Sequence, residues 1–201
     1  MKHMLTAFVA LTVVGAPAWG AAIVGKPAPN FTLADVDGKR VSLSAFRGKT
    51  VVIEWNNPDC PFVKKHYGSG NMQKAQAAAT KDGVVWLTVN SSAPGKQGNM
   101  NGAQAKSYVA EAGARPAHYL LDPRGVVGKL YDAKTTPHMY VIDRAGNLVY
   151  AGGIDDKPTS DAEDIAGARN HVLAALSELK AGKPVSVATS RPYGCSVKYD
   201  S

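Results

Sequence analysis

Residues 51–61, VVIEWNNPDCP, constrain this chain more than any other stretch. Val51 to Trp55 is a β-branched, apolar run, the pattern of a buried central strand. Residues 56 to 61 then read as a loop, and Pro61 suits the first turn of a helix, where its missing N–H costs nothing. A helix is expected from there through about Thr80, weakened or interrupted at Gly68 and Gly70. A buried strand that turns directly into a helix already favours an α/β architecture.

The rest of the chain repeats that alternation. FTLADV and KRVSLSAF flank Asp37-Gly38, a strong hairpin signal. A second buried strand is expected at 84–90, a loop of turn formers at 91–102 and a helix at about 103–113. HYLL reads as a short strand and VVGKLYDA as a short helix. MYVIDRAGNLVYAGG reads as an antiparallel hairpin. A last helix is expected over roughly 161–182, with Ile165, Val172, Ala175, Leu176 and Leu179 near helical spacing. The fold class is therefore α/β: a central mixed β-sheet flanked by helices, with an N-terminal β-hairpin. The tail, KPVSVATSRPYGCSVKYDS, has no helical pattern but is expected to dock on the domain.

The first residues stand apart. A basic head, Met1-Lys2-His3, precedes an uncharged apolar run over 4–16, and Pro17 and small residues follow at Ala18, Gly20, Ala21 and Ala22. That order predicts a signal peptide over 1–22, cleaved after Gly20 or Ala22, and hence an exported, periplasmic protein. The run is shorter than the roughly 20 residues a spanning helix needs, so no stable membrane anchor is expected. The net charge of +7 is scattered, and no nucleic-acid partner is expected from it.

The chain has two cysteines, Cys60 and Cys195. An exported chain matures where disulfides persist, and one intramolecular pair is allowed. On the chain-entropy model such a long loop would stabilise the fold by roughly 5 kcal/mol. Cys60 falls just after a strand and at the start of a helix, where free N–H groups and the helix dipole favour a thiolate. Lys64 and Lys65 add positive charge one turn on. Thr136-Pro137, ahead of an apolar strand, is a candidate cis peptide. Glu54 reads either as a buried proton acceptor or, preferentially, as a strand-end carboxylate facing solvent or a lysine. His66 and His138 read as polar neighbours of the thiol rather than as bases.

Together these features resemble the thioredoxin-like superfamily. The match is to its redoxin branch, a peroxiredoxin-like subgroup related to the alkyl hydroperoxide reductase/thiol-specific antioxidant proteins. PNFTLADVDGKRVSLSAFRGKTVVIEW, NNPDCPFVKKHY, KTTPHMYVID and GNLVYAGGIDD carry the resemblance, and RPYGCSVKY is similar to a terminal signature of the subgroup. It implies a thioredoxin-like (redoxin) domain over 23–184 and a docking tail over 185–201 that carries Cys195. It also implies that Cys60 is the nucleophile and Pro137 the cis-proline facing its sulfur, with Thr136 beside it and Trp55 closing the active-site strand.

The second thioredoxin cysteine is replaced by Val63, so the remaining partner for Cys60 is Cys195, expected to fold back as a resolving thiol. Asn57 and Ile53 stand where peroxiredoxins carry a threonine and a proline, which ranks disulfide exchange above peroxide reduction. The expected activity is that of a thiol-dependent oxidoreductase. A protein disulfide, or a small thiol or peroxide, is the expected substrate, and an external thiol the expected reductant. No cofactor and no resident metal are expected. Two other readings stay open. One is copper binding through Cys60, His66 or His138 and Met100; the other is a non-catalytic domain clasped by a Cys60–Cys195 disulfide.

Overall fold

The computed structural model describes residues 21–200. Residues 1–20 of the expected signal segment lie outside the described residues.

In chain order the strands are β1 (Thr32–Asp35), β2 (Arg40–Ser42), β3 (Val51–Trp55), β4 (Val85–Asn90) and β5 (His118–Leu121). They continue as β6 (Thr135–Thr136), β7 (His138–Ile142), β8 (Leu148–Gly152) and β9 (Cys195–Ser196). The helices are α1 (Pro61–Gly68), α2 (Asn71–Lys81), α3 (Gly102–Glu111), α4 (Val126–Leu130) and α5 (His171–Lys180). Seven strands form one sheet in the order β2-β1-β5-β4-β3-β7-β8, and β6 and β9 form a separate two-stranded ladder. Strands β3, β4 and β5 are parallel, whereas β1, β2, β7 and β8 join antiparallel, so the sheet is mixed as the alternation implied.

The period of two along each strand sorts side chains to opposite faces. Val51, Ile53 and Trp55 enter one core with Leu87, Val89, Tyr131 and Tyr140. Val52 enters the other with Cys60, Met72, Trp86, Met139 and Val172. Because β3 is buried on both faces, it reads as a nearly continuous apolar run. Trp55 is wholly enclosed, with Tyr140 edge-on at 5.1 Å and Tyr131 at 5.6 Å. Truncating a ring so placed costs about 3–5 kcal/mol.

The helix after Cys60 is broken in two, at the place where glycine weakens it. Gly70 takes a left-handed φ of 74°, which a side chain resists, and α2 restarts beyond it. The continuous last helix expected over 161–182 is corrected. A 3₁₀ turn at Glu163–Gly167 is followed by α5, which starts only at His171. The cause is tertiary. Asp156 accepts the Arg169 amide at 2.9 Å, Asp155 forms a β-bridge with Asn170, and the Asn170 side chain caps α5 by accepting the Leu173 amide at 2.9 Å. These contacts hold the backbone before His171 extended.

Candidate thiol site

Cys60 occupies the position just before α1. Its amide donates to the Asn57 carbonyl at 3.1 Å, and its carbonyl accepts the Lys64 amide at 2.9 Å, the first turn of the helix. The loop is held by Asn57, whose side chain accepts the Asp59 amide and donates to the Gln97 carbonyl. Cys60 is 0% exposed. Its thiol donates to the carbonyl oxygen of Thr136 at 3.0 Å. The Thr136–Pro137 peptide bond is cis.

The tail reaches the same spot. Thr135 pairs with Ser196, and Thr136 with Cys195, in the β6–β9 ladder, and the Val197 amide donates to the Lys134 carbonyl at 3.0 Å. Cys195 therefore lies beside Cys60 although 134 residues separate them. Both are free thiols, Cys60 buried and Cys195 partly exposed.

The two sulfurs differ in acidity. Burial opposes ionisation of Cys60, but hydrogen bonds from Cys195, Thr136 and the Val63 amide outweigh it and lower its pKa. Burial and the neighbouring Cys60 charge push Cys195 up to about 11. One negative charge shared by two sulfurs thus rests on Cys60, with Cys195 protonated beside it. The lysines act differently from the sequence expectation. Lys64 is exposed, while Lys65 is buried and turned to the Lys157 and Thr159 carbonyls, each at 3.1 Å. Hydrogen-bond donors, not lysine charge, are what favour the Cys60 thiolate.

A clamp holds the tail on either side of Cys195. Tyr193 donates to Asp155 at 2.5 Å and lies 3.2 Å from His66 Nε2. Asn71 donates to His66 Nδ1 at 2.8 Å, so the ring proton belongs on Nε2, aimed at Tyr193. Burial drops the His66 pKa to about 4, against the pull of Asp155, and keeps the ring neutral. Gly194 has a φ of 127°, and a Cβ there would collide with the Thr136 carbonyl. Beyond Cys195, the Tyr199 ring lies against Gly125 and Gly128 and its hydroxyl donates to the Ala133 carbonyl at 2.7 Å. None of Tyr193, Asp155 or His66 announces this role in local periodicity, because the partners come from three distant segments. RPYGCSVKY, GGIDD and NNPDCPFVKKHY do contain all three.

Glu54 does not face solvent, the placement favoured from sequence. Strand alternation points it under α2, where it is fully buried. It accepts from Trp86 Nε1 (2.9 Å), Tyr67 (2.9 Å), Asn56 (3.1 Å) and Thr88 (3.2 Å). Burial still raises its pKa. His138 is buried, its Nδ1 accepting from the Lys134 amide, and its pKa falls to about 4 because of burial. Among the described residues, no three His, Cys, Asp or Glu side chains converge as metal ligands.

Next to the ladder lies an open groove of about 570 Å³, whose lining includes Phe62, Thr135, His171, Arg191, Tyr193 and Gly194. Its lining reaches Gly194, the chain neighbour of Cys195.

The profile of the family described as Redoxin matches residues 23–168. No curated protein sequence matches the chain. Among solved structures, an uncharacterized conserved protein from Geobacillus kaustophilus is 31% identical, with a TM-score of 0.73 over 93% of this chain and 98% of that one. A hypothetical protein from Sinorhizobium meliloti is 23% identical, with a TM-score of 0.74 over 90% and 97%. A protein described as a candidate thiol:disulfide interchange protein, DsbE, from Chlorobium tepidum is 25% identical, with a TM-score of 0.53 over 65% and 85%.

Proposed function

The chain belongs to the Redoxin family, a thioredoxin-fold family of redox proteins, and from that premise we propose that it is an exported thiol–disulfide oxidoreductase. Cys60 and Cys195 cycle between a dithiol and a disulfide, with Cys60 the sulfur that ionises. The observation that carries this reading is the pairing of Cys195 with Thr136, whose carbonyl takes the Cys60 thiol. A resolving thiol so held does not have to search for its partner, which favours intramolecular closure over loss of a mixed disulfide.

The leader-like order of residues 1–22 supports export to the periplasm, where a protein disulfide or a small dithiol is at hand. The domain is taken as 23–184 and the tail as 185–201. The interchange role in the description of the Chlorobium tepidum protein points the same way.

The test is twofold. Non-reducing peptide mapping of the oxidised chain is expected to recover Cys60 linked to Cys195. Turnover of a protein disulfide with an added dithiol is expected to exceed hydroperoxide consumption and to vanish in Cys60→Ser. Two free thiols after oxidation, or peroxide turnover alone, would reject the reading.

A further inference from the structure

The two sulfurs are not equally reachable. Cys60 lies at the start of α1 against Thr136 of β6, at 0% exposure, whereas Cys195 keeps part of its surface open. Exchange at a disulfide is an in-line displacement: the incoming thiolate, the attacked sulfur and the leaving sulfur share one axis. Attack on Cys60 would have to displace its buried neighbours, because its side chain belongs to the core cluster that also holds Val63 and Met139. Attack on Cys195 needs only the open side, where the neighbouring Gly194 lines the groove.

Resting on the dithiol–disulfide cycle proposed above, we infer that Cys195 is the sulfur at which external thiols join and leave the protein, and that Cys60 never meets them directly. This reverses the order implied by resemblance, in which Cys60 attacks first. In the reducing direction, one thiolate of a partner dithiol bonds to Cys195 Sγ as the Cys60–Cys195 bond breaks and Cys60 departs as thiolate. The second thiol of the partner then attacks its own sulfur in the mixed disulfide. Cys195 is released and takes up that thiol's proton. The partner is oxidised by two electrons to a disulfide, and the protein disulfide is reduced to two sulfurs sharing one proton. The acidity difference fits this direction, because the sulfur with the lower pKa is the better leaving group.

The experiment uses the oxidised full chain and glutathione, a thiol that stops at the mixed disulfide. After a short exposure the mixture is quenched with acid, alkylated and mapped by mass spectrometry. The expected product carries glutathione on Cys195 and the alkyl group on Cys60, in at least about tenfold excess over the reverse pattern. Glutathione mainly on Cys60, or equal labelling of both, overturns the inference while leaving the dithiol–disulfide cycle intact. Failure to form any Cys60–Cys195 linkage beforehand overturns that cycle, and this inference with it. A second arm treats single-cysteine chains with glutathione disulfide. Cys60→Ser is expected to form its adduct in the folded state, and Cys195→Ala only slowly until the chain is denatured. Equal folded-state rates for the two would also overturn the assignment.

Discussion

The Cys60 thiol sits 3.0 Å from the carbonyl oxygen of Thr136, the residue that pairs with Cys195 across the β6–β9 ladder. A thiol donating to a carbonyl is held in place while protonated. Once ionised, it is supported by the Cys195 thiol, the Thr136 hydroxyl and the Val63 amide. Cys60 is therefore expected to titrate below an ordinary thiol, as read from thiolate ultraviolet absorbance against pH. Cys195→Ala removes a donor and should move that titration upward. An unchanged titration would show that Cys195 does not support the thiolate.

Tyr193 ties the tail to the domain through Asp155 and His66. A hydrogen bond to a carboxylate is worth about 1.5–3 kcal/mol. Tyr193→Phe should therefore free the tail, and in a Cys195→Ala background folded-state alkylation of Cys60 should rise roughly 10–100-fold. Urea unfolding of the same variant checks that the domain itself still folds.

Gly194 is the joint between that clamp and Cys195. Its φ of 127° is strained for any side chain, and a methyl group would strike the Thr136 carbonyl. Gly194→Ala should lift Cys195 off the ladder and slow disulfide closure on mild oxidation, measured by the loss of free thiols. Gly194 itself belongs to no strand of the seven-stranded sheet and to no helix, so the far-ultraviolet circular dichroism should stay close to that of the parent.

Glu54 gathers donors from Trp86, Tyr67, Asn56 and Thr88 without touching either sulfur. Glu54→Ala leaves several buried donors unpaired and should destabilise the fold by about 3–5 kcal/mol in urea unfolding. Glu54→Gln keeps one acceptor and should cost less. The Cys60 titration should shift little in Glu54→Gln, since the role assigned here is structural.

His66 and His138 are neutral in the fold, each with a pKa near 4 instead of 6.5. Between those values the unfolded chain binds protons that the folded chain does not. Stability should fall as pH drops from 6.5 toward 4, by up to about 1.4 kcal/mol per pH unit for each histidine. Glu54 acts in the opposite sense. Its raised pKa makes the fold take up a proton before the unfolded chain does, which adds stability as pH falls through it. His138→Asn should flatten the pH dependence of the urea midpoint, and an unchanged slope would contradict the buried, neutral state.

Much of the framework was legible in residue order. Val51 to Trp55 became an interior strand because a run that is largely apolar on both faces has no solvent side. Asp37-Gly38 made its hairpin, with Gly38 at a φ of 79°. The break at Gly70 was visible for the same reason. The last helix starts later than its periodicity implies because the contacts that delay it come from Asp155 and Asp156, outside that periodicity. The burial of Glu54 is not legible in its strand, because alternation gives its face while only the packed helices decide whether that face meets water.

The sequence by itself determined that Cys60 stands between a buried strand and a helix start, and that Val63 leaves it no neighbouring sulfur. Local patterns carry that much because they follow from steric preference and periodicity over a few residues. The tertiary structure decided the rest: that Cys60 is sealed, that Cys195 lies beside it and partly open, and that Tyr193 fastens the tail there. Those facts depend on bringing together segments from several tens to more than a hundred residues apart, and the closure entropy of such long loops favours no particular pairing until the folded surfaces select one.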